Sequence, residues 1–461
     1  MLRASQTHGT RGEKGLGDGE RPDSGRGACR SDVAIPSVGV NTLPAIVSAL
    51  PVDRPAPAGL SKPLPGWVGV SAELFAGAGG LMLGTEQAGL SHLVSNERDS
   101  RACETLRRNG SQDVNDPEAA VRSENERPLI EGDCRDVDWT PLRGRVDLLA
   151  GGPPCQPFSI GGVHRGDLDE RNLWPETVRA LDEIRPRAFL FENVRGFARP
   201  AFQPYLEYVV LQLRAPHIRR RKSESWQQHA GRLGNRSERQ RRGFGYRVAW
   251  TLVNAADFGA PQIRHRVLLI GYRSDLCIEP ALPRATHSRA ALIQAQADGS
   301  YWTEHGLKAH EPVTGRAARP KPGESRVQRW RTLRDAIGDL PEPRNGREHP
   351  KWANHVGVPG ARLYDGHSGS QLDWPSKSVK AGVHGNPGGE HIVIRDDGSH
   401  RYWTVRETAR IQGFPDEHVF EGPRSEAMRQ IGNAVPVSLA FAAASTVVAA
   451  LHGIVHAVTD D

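Results

Sequence analysis

Six short apolar runs between positions 67 and 272 constrain the fold more than anything else in the sequence: WVGVSAELF, SHLVSNE, VDLLAGG, AFLFENV, VAWTLVNA and RVLLIGY. All are of strand length and most are dominated by apolar residues, as suits buried strands. Between them, Thr85–Gly89, Ser100–Asn109, Leu173–Ile184 and Pro204–Leu213 have helical character and can act as crossovers. Strands alternating with helices predict a doubly wound, mainly parallel α/β sheet.

The chain divides by composition around that core. Residues 1–65 are rich in Gly, Pro, Arg and Ser, bury too little to offset the entropy of ordering, and are expected to be a disordered tail. The sheet is assigned to 66–277. From 278 to 400 the pattern dissolves into Pro, Gly, His and Arg, which suits a smaller loop-rich domain, and 401–461 regains helical character and is expected to return to the first domain. The run Val437–Val458 is long enough for a membrane span, but it is Ala-rich, carries His452 and His456 and stands alone, so a buried C-terminal helix is the expectation.

Sixty basic against 54 acidic residues, a net +6, permit a nucleic-acid partner without demanding one. The arginine-rich stretch from His217 to Arg247, with Arg219, Arg220, Arg221, Arg241 and Arg242, reads as a surface insertion, either a solvated loop or a phosphate-contacting arm. Five cysteines without a C-x-x-C pair indicate neither a zinc site nor a disulfide framework, and Cys29, Cys103, Cys134 and Cys277 read as small buried side chains. No secretion signal opens the chain, so a reducing cytosol is the expected compartment.

Two loops carry chemistry. After Phe75 comes Ala76-Gly77-Ala78-Gly79-Gly80, a turn that lets backbone approach a ligand. Met82 stands where the third glycine of a dinucleotide fingerprint belongs, which disfavours a nicotinamide oxidoreductase. Glu97 follows Gly77 at the spacing of a ribose-binding acid, and Asp133 follows the next apolar run, where it can accept from an adenine amino group. The three positions together favour an adenosine site with little phosphate. The second loop, Gly151-Gly152-Pro153-Pro154-Cys155-Gln156-Pro157-Phe158-Ser159, holds a cysteine rigidly between prolines at a strand end, a nucleophile's position. Glu192, directly after Phe189-Leu190-Phe191, should be buried enough to favour its protonated form.

The segments ELFAGAGGLMLG, NERDSRACETLRRN, GDCRDV, GGPPCQPFS, FENVRGF, ADFGAPQIRHRVLLIG, TVRETARIQGFP and QIGNAVPV resemble, in order and spacing, the motifs of the DNA (cytosine-5) methyltransferases, from about Val68 to Val437. The resemblance implies a Rossmann-like S-adenosylmethionine-dependent sheet with a smaller target-recognition domain, S-adenosylmethionine as methyl donor and no metal. It also implies duplex DNA as partner to a monomer, a matching restriction endonuclease acting at the same site, and no membrane. By the same resemblance Cys155 adds to C6 of a flipped-out cytosine, Glu192 protonates N3, and Arg266, supported by Arg264, holds O2. Phe75, Gly77, Gly79, Glu97, Asp133, Pro154, Leu173 and Asn433 would contact the donor. Glu73, Ile263 and the long insertion between Val194 and Tyr246 depart from the family pattern. Ala361–His391 lies where the family reads bases, with Lys377, Lys380, His384 and Asn386 as base contacts or merely structural residues. A transfer-RNA methyltransferase and a silent DNA-binding regulator are the remaining rivals, the first disfavoured by the large recognition region and the second by intact Cys155, Glu192 and Arg266.

Overall fold

The structure, a computed structural model, describes residues 69–154, 172–235, 244–308, 327–363, 368–381 and 391–459. The expected N-terminal tail, Cys155, His384 and Asn386 lie outside these residues, as do Arg241 and Arg242.

The six apolar runs become six strands of one large sheet, β1 Gly69–Leu74, β2 Leu90–Glu97, β5 Leu148–Gly151, β6 Ala188–Val194, β7 Tyr246–Asn254 and β8 His265–Arg273, and two short strands outside those runs, β3 Gln112–Asp113 and β4 Pro128–Glu131, join them. Their order is β3-β4-β2-β1-β5-β6-β8-β7. The first six run parallel, while β8 is antiparallel to both β6 and β7. The expected mainly parallel sheet thus ends in an antiparallel edge. From β1 the chain winds outward through β2 and β4 on one side and through β5 and β6 on the other. The strand order therefore reverses at β1, where sheets of this kind bind ligands beyond the strand C-termini.

Helices α1 Gly80–Gln87, α2 Ser100–Arg108, α3 Pro117–Arg122, α4 Trp174–Ile184, α5 Gln203–Arg214 and α6 Trp226–Gly234 connect or flank these strands. α1 begins five residues before the stretch read as helical, because Gly80 and Gly84 hid it. A Cβ on Gly80 would lie 2.5 Å from the Val435 carbonyl oxygen, so close packing demands glycine there. α2 is started by Asp99, whose carboxylate accepts from the Arg101 and Ala102 amides.

Alternation along each strand sends its side chains to two cores. Leu149, Phe189, Phe191 and Leu269 meet Trp174, Val178 and Leu206 of α4 and α5 on one face. Leu148, Leu190, Leu268 and Ile270 meet the C-terminal helix on the other.

Beyond β8 the elements are short: α7 Arg289–Ala297, α8 Ser300–Glu304, α9 Leu333–Ile337 and strands of two to five residues from His287–Ser288 to His400–Tyr402. α10 Val405–Gln412, α11 Arg424–Asn433 and α12 Val437–Thr459 close the chain. The apolar run from 437 is the core helix of the second face. Leu439, Ala443, Ala444, Val447 and Leu451 are buried under the sheet, and 61% of the most apolar window is covered by protein.

Cys103 and Cys134 are buried, with thiols pushed up to about 12 by that burial. Cys277 departs from the expectation: it is exposed, in the left-handed region at φ 52°.

Candidate active site

A cleft of about 360 Å³ opens at the C-terminal ends of β1, β2, β5 and β6, within the size range of ligand pockets. Five segments line it. β1 and its loop supply Glu73, Phe75 and Gly77; β2 supplies Glu97; Gly152, Pro153 and Pro154 follow β5; Glu192, Asn193 and Val194 end β6; and Asn433, Ala434 and Val435 join α11 to α12. Of the expected donor contacts, Phe75, Gly77, Glu97, Pro154 and Asn433 are brought together here.

The loop after β1 is bent by backbone in the left-handed region, Phe75 at φ 59° and Gly77 at φ 55°. For a phenylalanine this is strained, and such strain concentrates where a ligand must be met. Glu97 holds the bend. One of its carboxylate oxygens accepts from the Gly77 amide at 2.7 Å, the other from the Arg98 and Asp99 amides at 2.8 and 2.7 Å. Burial raises the Glu97 pKa against the pull of those amides. Replacing Glu97 with alanine leaves the three amides without their acceptor. At about 1–3 kcal/mol for an orphaned group, donor affinity measured by calorimetry is expected to fall at least tenfold.

Three other expected contacts lie elsewhere. Gly79 caps α1 at φ 87° and is absent from the lining, where Gly80 stands instead. Asp133 is taken by Arg135 at 2.6 Å and Arg98 at 3.2 Å, which hold its carboxyl well below the usual range. Leu173 precedes α4 and packs on the aromatic side of the core.

On the reacting side, Glu192 is 7% exposed, and its Oε1 lies 2.5 Å from Nε of Arg266. Burial raises the Glu192 pKa, with Arg266 and then Arg264 opposing the shift. Asn193 donates to the Pro153 carbonyl at 3.2 Å, tying the segment that leads to position 155 against β6. A Cβ on Gly152 would sit 3.5 Å from Oε2 of Glu192, so this loop passes directly beside the acid.

Arg264 does something different. Its guanidinium is 2% exposed and donates to the carbonyls of Val379 at 2.5 Å, Gly432 at 2.6 Å and Ala434 at 3.3 Å, and to Ser378 Oγ at 3.4 Å. Beside it, Gln262 donates to the Ile411 carbonyl and Gln412 Oε1 and accepts from the Val379 amide. The pair clamps the strap 376–381 to the Gly432–Ala434 wall of the cleft. Lys377 and Lys380 sit on that strap. Lys377 Nζ donates to Ser368 Oγ at 3.1 Å, and Lys380 is exposed.

Sequence reasoning passed over two features. Glu73 was seen only as a departure from pattern, yet it is 2% exposed on the cleft floor. Its Oε2 has no hydrogen-bond partner among the described residues, and burial first, then Glu86 and Glu97, raises its pKa well above the usual value. Arg429 of α11 reaches Asp99 at 2.6 Å across the rim, a pairing 330 positions apart that no local pattern announces.

These residues fit a cationic nucleoside. Glu73 offers a buried oxygen unpartnered among the described residues, Gly77 leaves open space where a Cβ would be, and Arg429 at the rim is paired with Asp99. The profile of the C-5 cytosine-specific DNA methylases matches residues 70–215 and 235–449.

The chain belongs to that family.

Relatives agree. The type II methyltransferase M.Eco47II of Escherichia coli is 34% identical over 82% of this chain and 78% of its own. M.NgoMIV of Neisseria gonorrhoeae is 32% identical over 83% of this chain and 97% of its own. Among solved structures, a prophage-encoded DNA modification methyltransferase of E. coli shares the fold, with TM-score 0.50, 21% identity, and coverage of 83% of this chain and 99% of that one. As a C-5 cytosine-specific DNA methylase, the chain transfers methyl groups from S-adenosylmethionine to C5 of cytosine in duplex DNA.

Proposed function

We propose that this methylase is the modification member of a type II restriction-modification pair, acting as a monomer in the bacterial cytoplasm at a specific duplex sequence that a cognate endonuclease also recognises. The type II names of its relatives support that setting. The observation that carries the chemistry is the placing of a buried acid, Glu192, beside Arg266 in the same cleft as the Glu97-braced loop.

C5 of cytosine is a weak nucleophile, and the residues are assigned to change that. The Cys155 thiolate adds to C6 while Glu192 gives its proton to N3, and Arg266 holds O2, so the ring becomes an enamine. The bound donor supplies an electrophilic sulfonium methyl. After C5 is methylated, water takes the C5 proton, the 5,6 double bond reforms as the Cys155 sulfur leaves as thiolate, and the N3 proton returns to Glu192. Glu97 is assigned to the donor's ribose, Phe75 and Gly77 to close backbone approach, and Asn433 and Pro154 to the walls. Asp133, with its carboxylate engaged by two arginines, and Gly79 and Leu173, outside the lining, act through the loops they fix. Arg264 is assigned to positioning.

Because the face of a paired base is stacked, the cytosine must leave the duplex to meet these groups, at roughly a few kcal/mol. The segment 278–400 is assigned to reading the sequence, with Lys377 and Lys380 on the clamped strap and His384 and Asn386 as further contacts. The test is incubation with duplex DNA and labelled S-adenosylmethionine. Recovered label should lie in 5-methylcytosine, and bisulfite sequencing of DNA from expressing cells should return one recurrent site. Label on adenine, or on RNA alone, would overturn the assignment.

A further inference from the structure

The family profile passes over residues 216–234, and the structure shows what occupies them. The stretch is a loop bearing Arg219, Arg220, Arg221 and Lys222, all exposed, followed by α6. It is firmly seated. Ser225 and Gln228 form a capping box at the start of α6. Trp226 packs against Tyr205 and Tyr208 of α5 at ring distances of 5.6 and 5.5 Å. His229 is fully buried and hydrogen-bonded to the Tyr208 hydroxyl at 2.9 Å. Arg232 grips Glu224 and donates to the Arg219 carbonyl, so the loop is held from both ends.

Its place on the sheet matters. α5 runs back from the catalytic end of β6, and the loop follows its last residue, Arg214. Gly245, just before β7, packs on the Arg214 carbonyl. Arg219 pairs with Asp182 near the C-terminus of α4. The basic loop therefore stands at the end of the sheet opposite the cleft, with the seven residues of β6, about 20 Å of strand, between them. Acids at that end already face arginines: Asp182 meets Arg219, Glu224 meets Arg232, and Asp275 meets Arg273. Arg220, Arg221 and Lys222 have no ion pair among the described residues, so three adjacent cations project into solvent on a rigid mount.

We infer that this loop is a second, sequence-independent DNA site that takes the phosphate backbone of another duplex segment while the first occupies the cleft. Bending one duplex with a persistence length of about 50 nm round this domain to meet both ends would cost roughly several kcal/mol or more of elastic energy, which three backbone contacts on one loop do not offset. The occupant is therefore a separate or distant segment, and the consequence is direct transfer of the enzyme from one duplex to another. This rests on duplex DNA being the substrate.

The experiment follows release of a labelled short target duplex from the full-length protein as unlabelled competitor duplex is raised. Wild-type protein should release faster in proportion to competitor. Protein with Arg220→Ser, Arg221→Ser and Lys222→Ser should release at one constant rate, and its salt slope for long non-target DNA should be shallower by up to about 2.7, at 0.9 for each lost phosphate contact. Methyl transfer to the short duplex, unchanged in the variant, checks folding and tests the substrate separately. A wild-type release rate independent of competitor, a variant that still accelerates, or equal acceleration by polyglutamate would overturn the inference.

Discussion

Replacing Glu192 with glutamine is expected to lower kcat for methyl transfer by about 10²–10⁴-fold, the usual contribution of a positioned general acid, with little change in donor affinity. Glutamine keeps the shape beside Arg266 but cannot deliver a proton to N3. Buried Glu192 has a raised pKa, so it holds its proton to higher pH than an exposed glutamate. The active form is the protonated one. kcat/KM should therefore decline as pH rises through that raised value, and the residual activity of Glu192→Gln should lose this decline. A variant that retained wild-type kcat with an unchanged alkaline limb would remove Glu192 from the chemistry.

The second large effect falls on Arg264. Its guanidinium is desolvated with no carboxylate partner among the described residues, and three backbone carbonyls from two distant segments accept from it. Arg264→Met keeps much of the volume and removes the charge, which relieves a desolvation penalty but orphans the Val379 and Gly432 carbonyls at about 1–3 kcal/mol each, while the Ala434 carbonyl keeps the Gln412 side-chain amide. The net loss should be roughly 3 kcal/mol, a fall of several degrees in Tm by calorimetry. Since Gly432 and Ala434 adjoin Asn433 on the cleft wall, donor affinity should fall with it, and Arg264→Lys should recover only part because it lacks the planar fork. An unchanged Tm would show that the clamp does not hold the strap to the wall.

The two arginines also show where the sequence was legible and where it was not. QIRHR places Arg264 and Arg266 two apart, which suggests one shared task. Arg266 is in β8, paired with Val194, and reaches Glu192. Arg264 lies just before the strand and turns to partners 114 to 170 positions away, contacts set by tertiary packing that no local spacing encodes. Strands were legible because burial on both faces makes them uniformly apolar, as in AFLF of β6 and VLLIGY of β8. α1 was half hidden because glycines needed for close approach to Val435 and Ala440 suppress helical propensity. α6 was hidden because two glycines, two glutamines and an arginine outnumber the Trp226, His229 and Leu233 that anchor it. Asp133 was placed correctly beyond β4, but its two arginine partners could not be foreseen from an isolated GDC.

The most direct test of the account uses a target duplex carrying 5-fluorocytosine, whose C5 fluorine cannot leave as a proton does. Incubated with protein and S-adenosylmethionine, it should give a denaturation-resistant protein–DNA adduct in equimolar yield, absent from Cys155→Ala and mapping by mass spectrometry to the peptide around position 155. A protein that methylates ordinary duplex yet forms no such adduct, or forms one at another residue, would contradict the account.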